Sequence, residues 1–357
     1  MRFFVLFFTL ITSLLALPND AELRKMIGHM LVVGFDDATI DAHSTIVQEL
    51  QTYELGGVIL FDRFYKEKER TKNISSPAQL QELTKQLKHY ATKPLLISID
   101  QEGGKVARLK PRYGFLEIPS AFALSQTSLE NAKNVYSLMA QMLSQNGINC
   151  DFGPVVDLAV NSENRVIVGL ERSYGKESER VTQYAKIFID ALKSKGVVSV
   201  LKHFPGHGSS LGDSHLGFVD VTQTWSEKEL EPYQKLIDAN AVSMIMSAHV
   251  YNATLDKTYP ATLSYAINTQ LLREKMHYTG VLISDDLQME AIAKYYTLQE
   301  TVTLAINSGI DMLLFGNQLS QTKTDKIVET ILAQVKNGAI SLERIRQANE
   351  RIAHLKR

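Results

Sequence analysis

Eight apolar runs of strand length punctuate this chain: Met30–Phe35, Gly57–Phe61, Leu95–Ile99, Ile148–Val156, Val197–Leu201, Val242–Met246, Gly280–Ile283 and Ile310–Phe315. They are continuous rather than alternating, the pattern of parallel strands covered on both faces. Between most of them the apolar positions recur with helical period. Ala132, Val135, Tyr136, Met139, Met142 and Leu143 form one stripe; Val181, Tyr184, Ala185, Phe188, Ala191 and Leu192 a second; Ile327, Val328, Ile331, Leu332 and Val335 a third. Such stripes are core faces of amphipathic helices. Gly147, Gly196 and Gly338 follow them as stops, and Thr127-x-x-Glu130, Ser226-x-x-Glu229 and Thr297-x-x-Glu300 read as capping boxes at helix starts. Strands alternating with helices over one uninterrupted stretch predict an α/β fold, a single-domain (β/α)8 TIM-type barrel over residues 18–357. The alternative is an open doubly wound sheet.

A barrel gathers its chemistry at the C-terminal ends of its strands, and the sequence agrees. Strand three runs into Asp100-Gln-Glu-Gly-Gly-Lys-Val-Ala-Arg108, strand four into Asp157, strand five into Lys202-His203, strand six into His249, and strand seven into Ser284-Asp285-Asp286. The densest stretch is Lys202-His-Phe-Pro-Gly-His-Gly208 with Asp213-Ser-His215 close behind. It places a lysine, three histidines and an aspartate within fourteen residues. Gly206, Gly208 and Gly212 predict a mobile loop that closes over a bound ligand.

Composition narrows the class. With 357 residues, a net charge of −1 and 45% hydrophobic residues, the chain has ample length for a large core. Near neutrality argues against a nucleic-acid partner held by bulk charge. The lone Cys150 rules out an intramolecular disulfide and is expected to pack as a small apolar residue. Arg2, the apolar stretch Phe3–Leu17 and the break at Pro18-Asn-Asp20 read as a secretory signal over residues 1–17. Cleavage is expected after Ala16, although Leu14 is bulky two residues before it. The mature protein is therefore expected to be exported, periplasmic or secreted, and monomeric; an uncleaved membrane anchor is the alternative.

The ordered motifs Ile99–Arg108, Gly153-Pro-Val-Val-Asp157, Glu171-Arg-Ser-Tyr-Gly175, Lys202–Gly208 with Asp213-Ser-His215, and Ser284-Asp-Asp-Leu-Gln-Met289 cover nearly the whole chain after the leader. Together they resemble those of the bacterial β-N-acetylhexosaminidases of glycoside hydrolase family 3. One departure is Lys105, where that family often has arginine. The resemblance implies an exo-acting, retaining enzyme that removes terminal N-acetylglucosamine without metal or cofactor. It implies Asp285 as nucleophile and His215, supported by Asp213, as acid/base. It assigns Asp100, Arg108, Arg172, Lys202 and His203 to the non-reducing sugar. Peptidoglycan fragments with N-acetylglucosamine on anhydro-muramic acid are the implied substrate, with chitin oligosaccharides as the alternative. Many β-glucosidases of the wider family draw their acid/base glutamate from outside the barrel; here that work is expected from the barrel's own loops.

The residues themselves support this. Retaining hydrolysis needs a nucleophile below the anomeric carbon and a proton donor near the leaving oxygen. Asp285 follows strand seven, a rigid platform; Asp286 competes with it, its other role being to cap a helix starting near Leu287. An imidazole titrates near neutrality and can give a proton and take it back, and Asp213 can fix its tautomer. His207 is expected to support the loop, Glu102 and Asp157 to orient other groups, and Met289 to line the pocket or the core. Three rival functions are a metal-dependent hydrolase built on His203, His207, Asp213, His215 and His249, a sugar-binding protein without catalysis, and a phosphorylase using the same site. Pro205-Gly206 breaks the helix that a His-x-x-x-His metal motif needs.

Overall fold

Each apolar run becomes a strand, and all eight strands are parallel: β1 Leu31–Gly34, β2 Gly57–Ile59, β3 Leu96–Ile99, β4 Cys150–Asp151, β5 Val198–Phe204, β6 Met244–Ser247, β7 Val281–Ser284 and β8 Leu313–Phe315. The computed structural model describes residues 18–212 and 217–355. Strand neighbours follow chain order from β1 to β7, and β8 pairs back onto β1 with Leu31 opposite Leu313. The ring closes between β7 and β8 through the Ile283–Met312 bridge, with Ser284 N donating to Met312 O at 3.0 Å. That closure decides for the barrel over the open sheet. Leu31, Val58, Ile97, Cys150, Val200, Ile245, Leu282 and Leu313 are all fully buried, as strands sealed by side chains inside and helices outside require.

The stripes bury as predicted. Leu129–Gln145 turns Tyr136, Met139 and Leu143 inward, and Ser178–Lys193 turns Val181, Phe188 and Leu192 inward. Gly147, Gly196 and Gly338 follow their helices with φ of 77°, 70° and 81°. The Thr297–Glu300 capping box forms as read. The other two do not. Ser128, one residue later than expected, caps Leu129–Gln145 by accepting from Asn131 N, while the Thr127 hydroxyl turns back to Leu124 O. Ser226 precedes a short 3-10 turn, Glu227–Leu230, without a side-chain cap, and Glu229 is buried elsewhere. The predicted fourth strand shrinks to Cys150–Asp151, because Pro154 has no amide to continue the ladder; Val155 rejoins it by one bridge to Lys202.

The two ends of the barrel differ in kind. At the N-terminal end of β8, the buried Asp311 accepts from Arg273 at 2.7 Å and Arg351 at 3.0 Å and also pairs with Arg344, tying the C-terminal helix Leu342–Leu355 to the barrel. This ion cluster is structural. The remaining buried charge gathers at the opposite end, around a cavity of about 370 Å³.

Candidate active site

Asp100 is the first residue past β3. The chain then folds back on itself, Gln101–Gly103 pairing antiparallel with Val106–Ala107. Gly103 and Gly104 turn this hairpin with φ of 101° and 54°, and a Cβ on Gly103 would lie 2.3 Å from Pro119 O. Only glycine fits such a turn. The Gln101 side chain pins the returning strand, accepting from Arg108 N at 3.0 Å and Leu109 N at 2.9 Å. Asp100, Glu102 and Arg108 are thereby brought to one wall of the cavity.

β5 runs three residues further than its apolar run predicts. Phe204 pairs with Ser247 on β6, and Phe204 O accepts from Ala248 N at 2.7 Å, so Lys202 and His203 are strand residues, not loop residues. From there a continuous set of charge-assisted hydrogen bonds crosses the floor of the cavity. Lys202 Nζ donates to Asp100 Oδ1 at 2.9 Å and sits 2.7 Å from Glu102 Oε1. Arg172 grips Glu102 with two bonds of 2.7 Å, and Arg108 Nη2 donates to Asp100 Oδ2 at 2.9 Å. Arg172 Nη2 lies 3.3 Å from His203 Nε2, and His203 Nδ1 lies 2.7 Å from Asp157 Oδ2. The guanidinium makes Nε2 the acceptor, so His203 carries its proton on Nδ1 and donates it to Asp157.

All five predicted sugar-clamp residues therefore line one cavity, but not equally. Asp100 and Arg108 keep 16% and 24% of their side chains exposed, whereas Lys202 keeps 3% and Glu102 4%. Asp100 and Arg108 face the space a sugar would fill; Lys202, Arg172 and His203 meet it through edges already engaged. Burial would raise the carboxyls of Asp100 and Glu102, but the adjacent cations win and hold both below the usual carboxylate range. Burial would lower the Lys202 ammonium, but Asp100 and Glu102 hold it up. Behind them Asp151, at the end of β4, is pushed up to about 8 by burial, so it stands neutral at pH 7 while accepting from Gln101 N at 2.9 Å.

The loop after β5 contradicts the expectation of mobility in its first half. Pro205–Ser210 is buried and fastened from several sides. Asp157 Oδ1 accepts from His207 N at 2.8 Å. Asn164 Nδ2 donates to His207 O at 2.8 Å and Gly208 O at 3.0 Å, and Asn161 Nδ2 donates to Ser210 O at 3.1 Å. Trp225 Nε1 donates to Pro205 O at 3.1 Å. His207 bonds Ser210 Oγ through Nδ1 at 2.7 Å, and burial lowers its pKa to about 4, which suits the loop-supporting role expected of it. Asp213 and His215 lie outside the described residues, as do residues 1–17.

Asp285 follows β7 and lines the same cavity. Its amide donates to Ser247 O at 3.0 Å and its Oδ1 accepts from Asp286 N at 2.8 Å, which holds the carboxylate against the strand end. Asp286 is not a helix cap: the next helix, Glu290–Ala293, starts after Met289. Its Oδ1 instead accepts from Gln288 N and Gly316 N, tying the segment after β7 to the segment after β8. Met289 is both buried and cavity-lining. The metal reading fares poorly on geometry. Both ring nitrogens of His203 are engaged by Asp157 and Arg172, and both of His249 by Thr262 Oγ1 and Asp286 O. A guanidinium beside a ring nitrogen is a poor neighbour for a cation.

Several residues of the site escape sequence reasoning. Asp62, just past β2, lines the cavity while accepting from Lys110 at 2.6 Å and Arg112 at 3.1 Å. Asn161, Asn164 and Glu229 fasten the β5 loop. Asp62 carried the signal of a carboxylate directly after an apolar run; the asparagines and Glu229 carried none.

A model of the glycosyl hydrolase family 3 N-terminal domain matches residues 22–355. The chain is 38% identical over 269 residues to a β-hexosaminidase of Tolumonas auensis, covering 74% of this chain and 76% of that protein. Among solved structures, a family 3 β-N-acetylglucosaminidase from Paenibacillus sp. str. FPU-7 superposes with a TM-score of 0.84 at 32% identity over 94% of this chain. This chain spans only 62% of that longer protein. A β-N-acetylhexosaminidase from Beutenbergia cavernae superposes with a TM-score of 0.83 at 25% identity, covering 94% of this chain and 98% of that one.

Proposed function

This chain belongs to glycosyl hydrolase family 3, and we propose that it is an exo-acting, retaining β-N-acetylglucosaminidase. The observation that carries the reading is the placement of Asp285, on the end of β7, in the same cavity as Asp100, Arg108, Arg172, Lys202 and His203. In the proposed reaction the Asp285 carboxylate attacks the anomeric carbon while the bond to the leaving oxygen breaks. His215 gives that oxygen its proton, and Asp213 orients the imidazole. Water then attacks the glycosyl-enzyme, His215 takes the water's proton, and N-acetylglucosamine leaves with its configuration retained. Asp100 and Arg108 bond the ring hydroxyls; the buried cations behind them keep Asp100 ionised so that it can accept. The chain's own carboxylate, imidazole and cations suffice for these steps, and the reading assigns no metal or cofactor.

The proposed substrate is a peptidoglycan fragment in which the sugar leaves anhydro-muramic acid. Arg108, Arg172 and Lys202 each face a carboxylate, whereas Arg63 and Lys68, on the loop after β2, line the cavity without an ion pair among the described residues. Two unneutralised cations favour a leaving group with a carboxylate over a neutral chitin oligosaccharide. The reading also has the leader removed on export by cleavage after Ala16. The deciding experiment offers both substrates, with and without phosphate, and follows the first-formed product by NMR. The reading predicts β-configured N-acetylglucosamine from the non-reducing end. Internal cleavage, an inverted product or a sugar phosphate would overturn it.

A further inference from the structure

Glu229 touches no residue of the sugar clamp, yet it is 1% exposed. The Ser226–Glu229 spacing suits a capping box, but the side chain turns inward to the loop that follows β5. Its Oε2 accepts from Gly208 N at 2.9 Å. A Cβ on Gly206, whose φ is 122°, would lie 2.6 Å from Glu229 Cβ and 2.7 Å from its Oε2, so the loop backbone presses directly against this side chain. Asp157 faces the carboxyl from the β4 end, and Tyr233 faces it from the helix Glu231–Asp238. Burial first, and then Asp157, push the carboxyl up to about 7 against the pull of the Gly208 amide. A carboxyl buried beside another carboxylate destabilises the fold, so its presence points to a task that an apolar residue could not perform. The task the geometry shows is to hold one end of a loop that reaches Asp213 three residues after Ser210 and His215 two residues later.

We propose that Glu229 is the positioning residue of the acid/base loop: it packs against Gly206 and its carboxyl bonds Gly208, and through that root it sets where the chain leading to Asp213 and His215 departs from the barrel. The proposal rests on the acid/base role given to His215 above. Asn164 and Asp157 hold the same root from the other side, but both also serve the sugar clamp, Asn164 by accepting from Val166 N and Ile167 N beside Arg172 and Asp157 by bonding His203. Glu229 hydrogen-bonds the loop and no residue of the sugar clamp, which makes its effect separable.

The test compares Glu229→Ala, Glu229→Gln and His215→Ala on two aryl N-acetylglucosaminides, one with a good leaving group and one with a poor one. A misplaced acid/base slows the poor leaving group and spares glycosylation by the good one. Glu229→Ala should lower kcat on the poor substrate by roughly 30-fold, within the range one misplaced group costs, and change the good substrate by less than about threefold with KM little altered. Glu229→Gln keeps a carbonyl oxygen for Gly208 N–H and should restore most of the loss. If Glu229→Ala does not fold, Glu229→Asp, which withdraws the carboxyl by one methylene, should show the same selectivity at smaller size. Equal losses on both substrates, or wild-type rates, while His215→Ala shows the selectivity, would overturn the proposal alone. Absence of the selectivity in His215→Ala itself would remove the acid/base reading and the proposal with it.

Discussion

Replacing Glu102 by glutamine tests whether the floor of the cavity is held by charge. Glu102 is 4% exposed and takes three close bonds, two from Arg172 and one from Lys202, each 2.7 Å. With Asp151 neutral, the cluster contains two carboxylates, Asp100 and Glu102, against three cations, Arg108, Arg172 and Lys202. Glu102→Gln removes half the negative charge and leaves Arg172, 9% exposed, without a carboxylate partner. Breaking a buried pair by deleting one member costs about 3–5 kcal/mol; glutamine keeps one acceptor, so the low end, about 3 kcal/mol, applies. With an unfolding entropy of about 2.1 cal/mol/K per residue, this chain of 357 residues should lose about 4 °C in Tm. Salt should not restore it, because the cluster lies inside the barrel. Arg172 freed from its two-point grip should also drift by an ångström-scale amount, lowering kcat/KM about 100-fold. Calorimetry and initial rates on an aryl glycoside measure both. Asp100→Asn is the contrast: its more exposed carboxylate should cost less in Tm and at least as much in rate. A Glu102→Gln protein within 1 °C of wild type (against the ~4 °C expected) and with unchanged kcat/KM would refute the argument that this carboxylate orients the cations.

Asp285→Ala should keep the fold and lose several orders of magnitude in kcat, and more than about a tenth of wild-type rate would remove the nucleophile assignment. Glu229 also predicts a pH-dependent stability. Its folded pKa is raised from 4.5 to about 7, so the native state holds the proton longer than the unfolded chain does. Wild-type stability should therefore fall as pH rises between these two values and level off above 7, by up to about 3 kcal/mol at 1.36 kcal/mol per pH unit. Glu229→Gln should lack this slope, so its Tm advantage should grow from pH 5 to pH 8; parallel curves would show that the carboxyl is not buried as described. Arg63→Ala or Lys68→Ala should each reduce the preference for an anhydro-muramic over a chitin leaving group by about fivefold, the size of one exposed ion pair; an unchanged ratio would assign the preference elsewhere. N-terminal sequencing of the protein from its own host should find a start at Leu17, and an intact Met1 in the membrane fraction would mean an anchor.

The ends of β3, β5 and β7 show how far the chain is legible. Asp100, Lys202 and Asp285 each stand directly after an apolar run, and a parallel barrel sends every such position to one rim. The same logic missed the length of β5, because Phe204 is held in the strand by Ser247 on β6 and by Ala248 just after it, and Lys202 by its bridge to Val155, partners tens of positions away in the chain. It mistook the start of the β5 loop for a mobile segment, because glycines measure backbone freedom and not the acceptors and donors that restrain it. Ser226-x-x-Glu229 matches the spacing of a capping box but does not form one; the Glu229 side chain turns instead to the β5 loop, where it accepts from Gly208 N, a partner that no local spacing announces.

By itself the sequence determined the periodicities, and with them the parallel strands, the helices around them and the identity of the groups at the strand ends. These depend on local spacing, which a chain carries wherever its parts finally lie. Tertiary structure alone decided which charges neutralise which: Arg172 on Glu102, His203 between Asp157 and Arg172, Asp62 on Lys110, Glu229 under the β5 loop. The reason is distance. Hydrogen bonds and buried ion pairs act over a few ångströms, and residues that far apart in the barrel are separated by tens of positions in the chain.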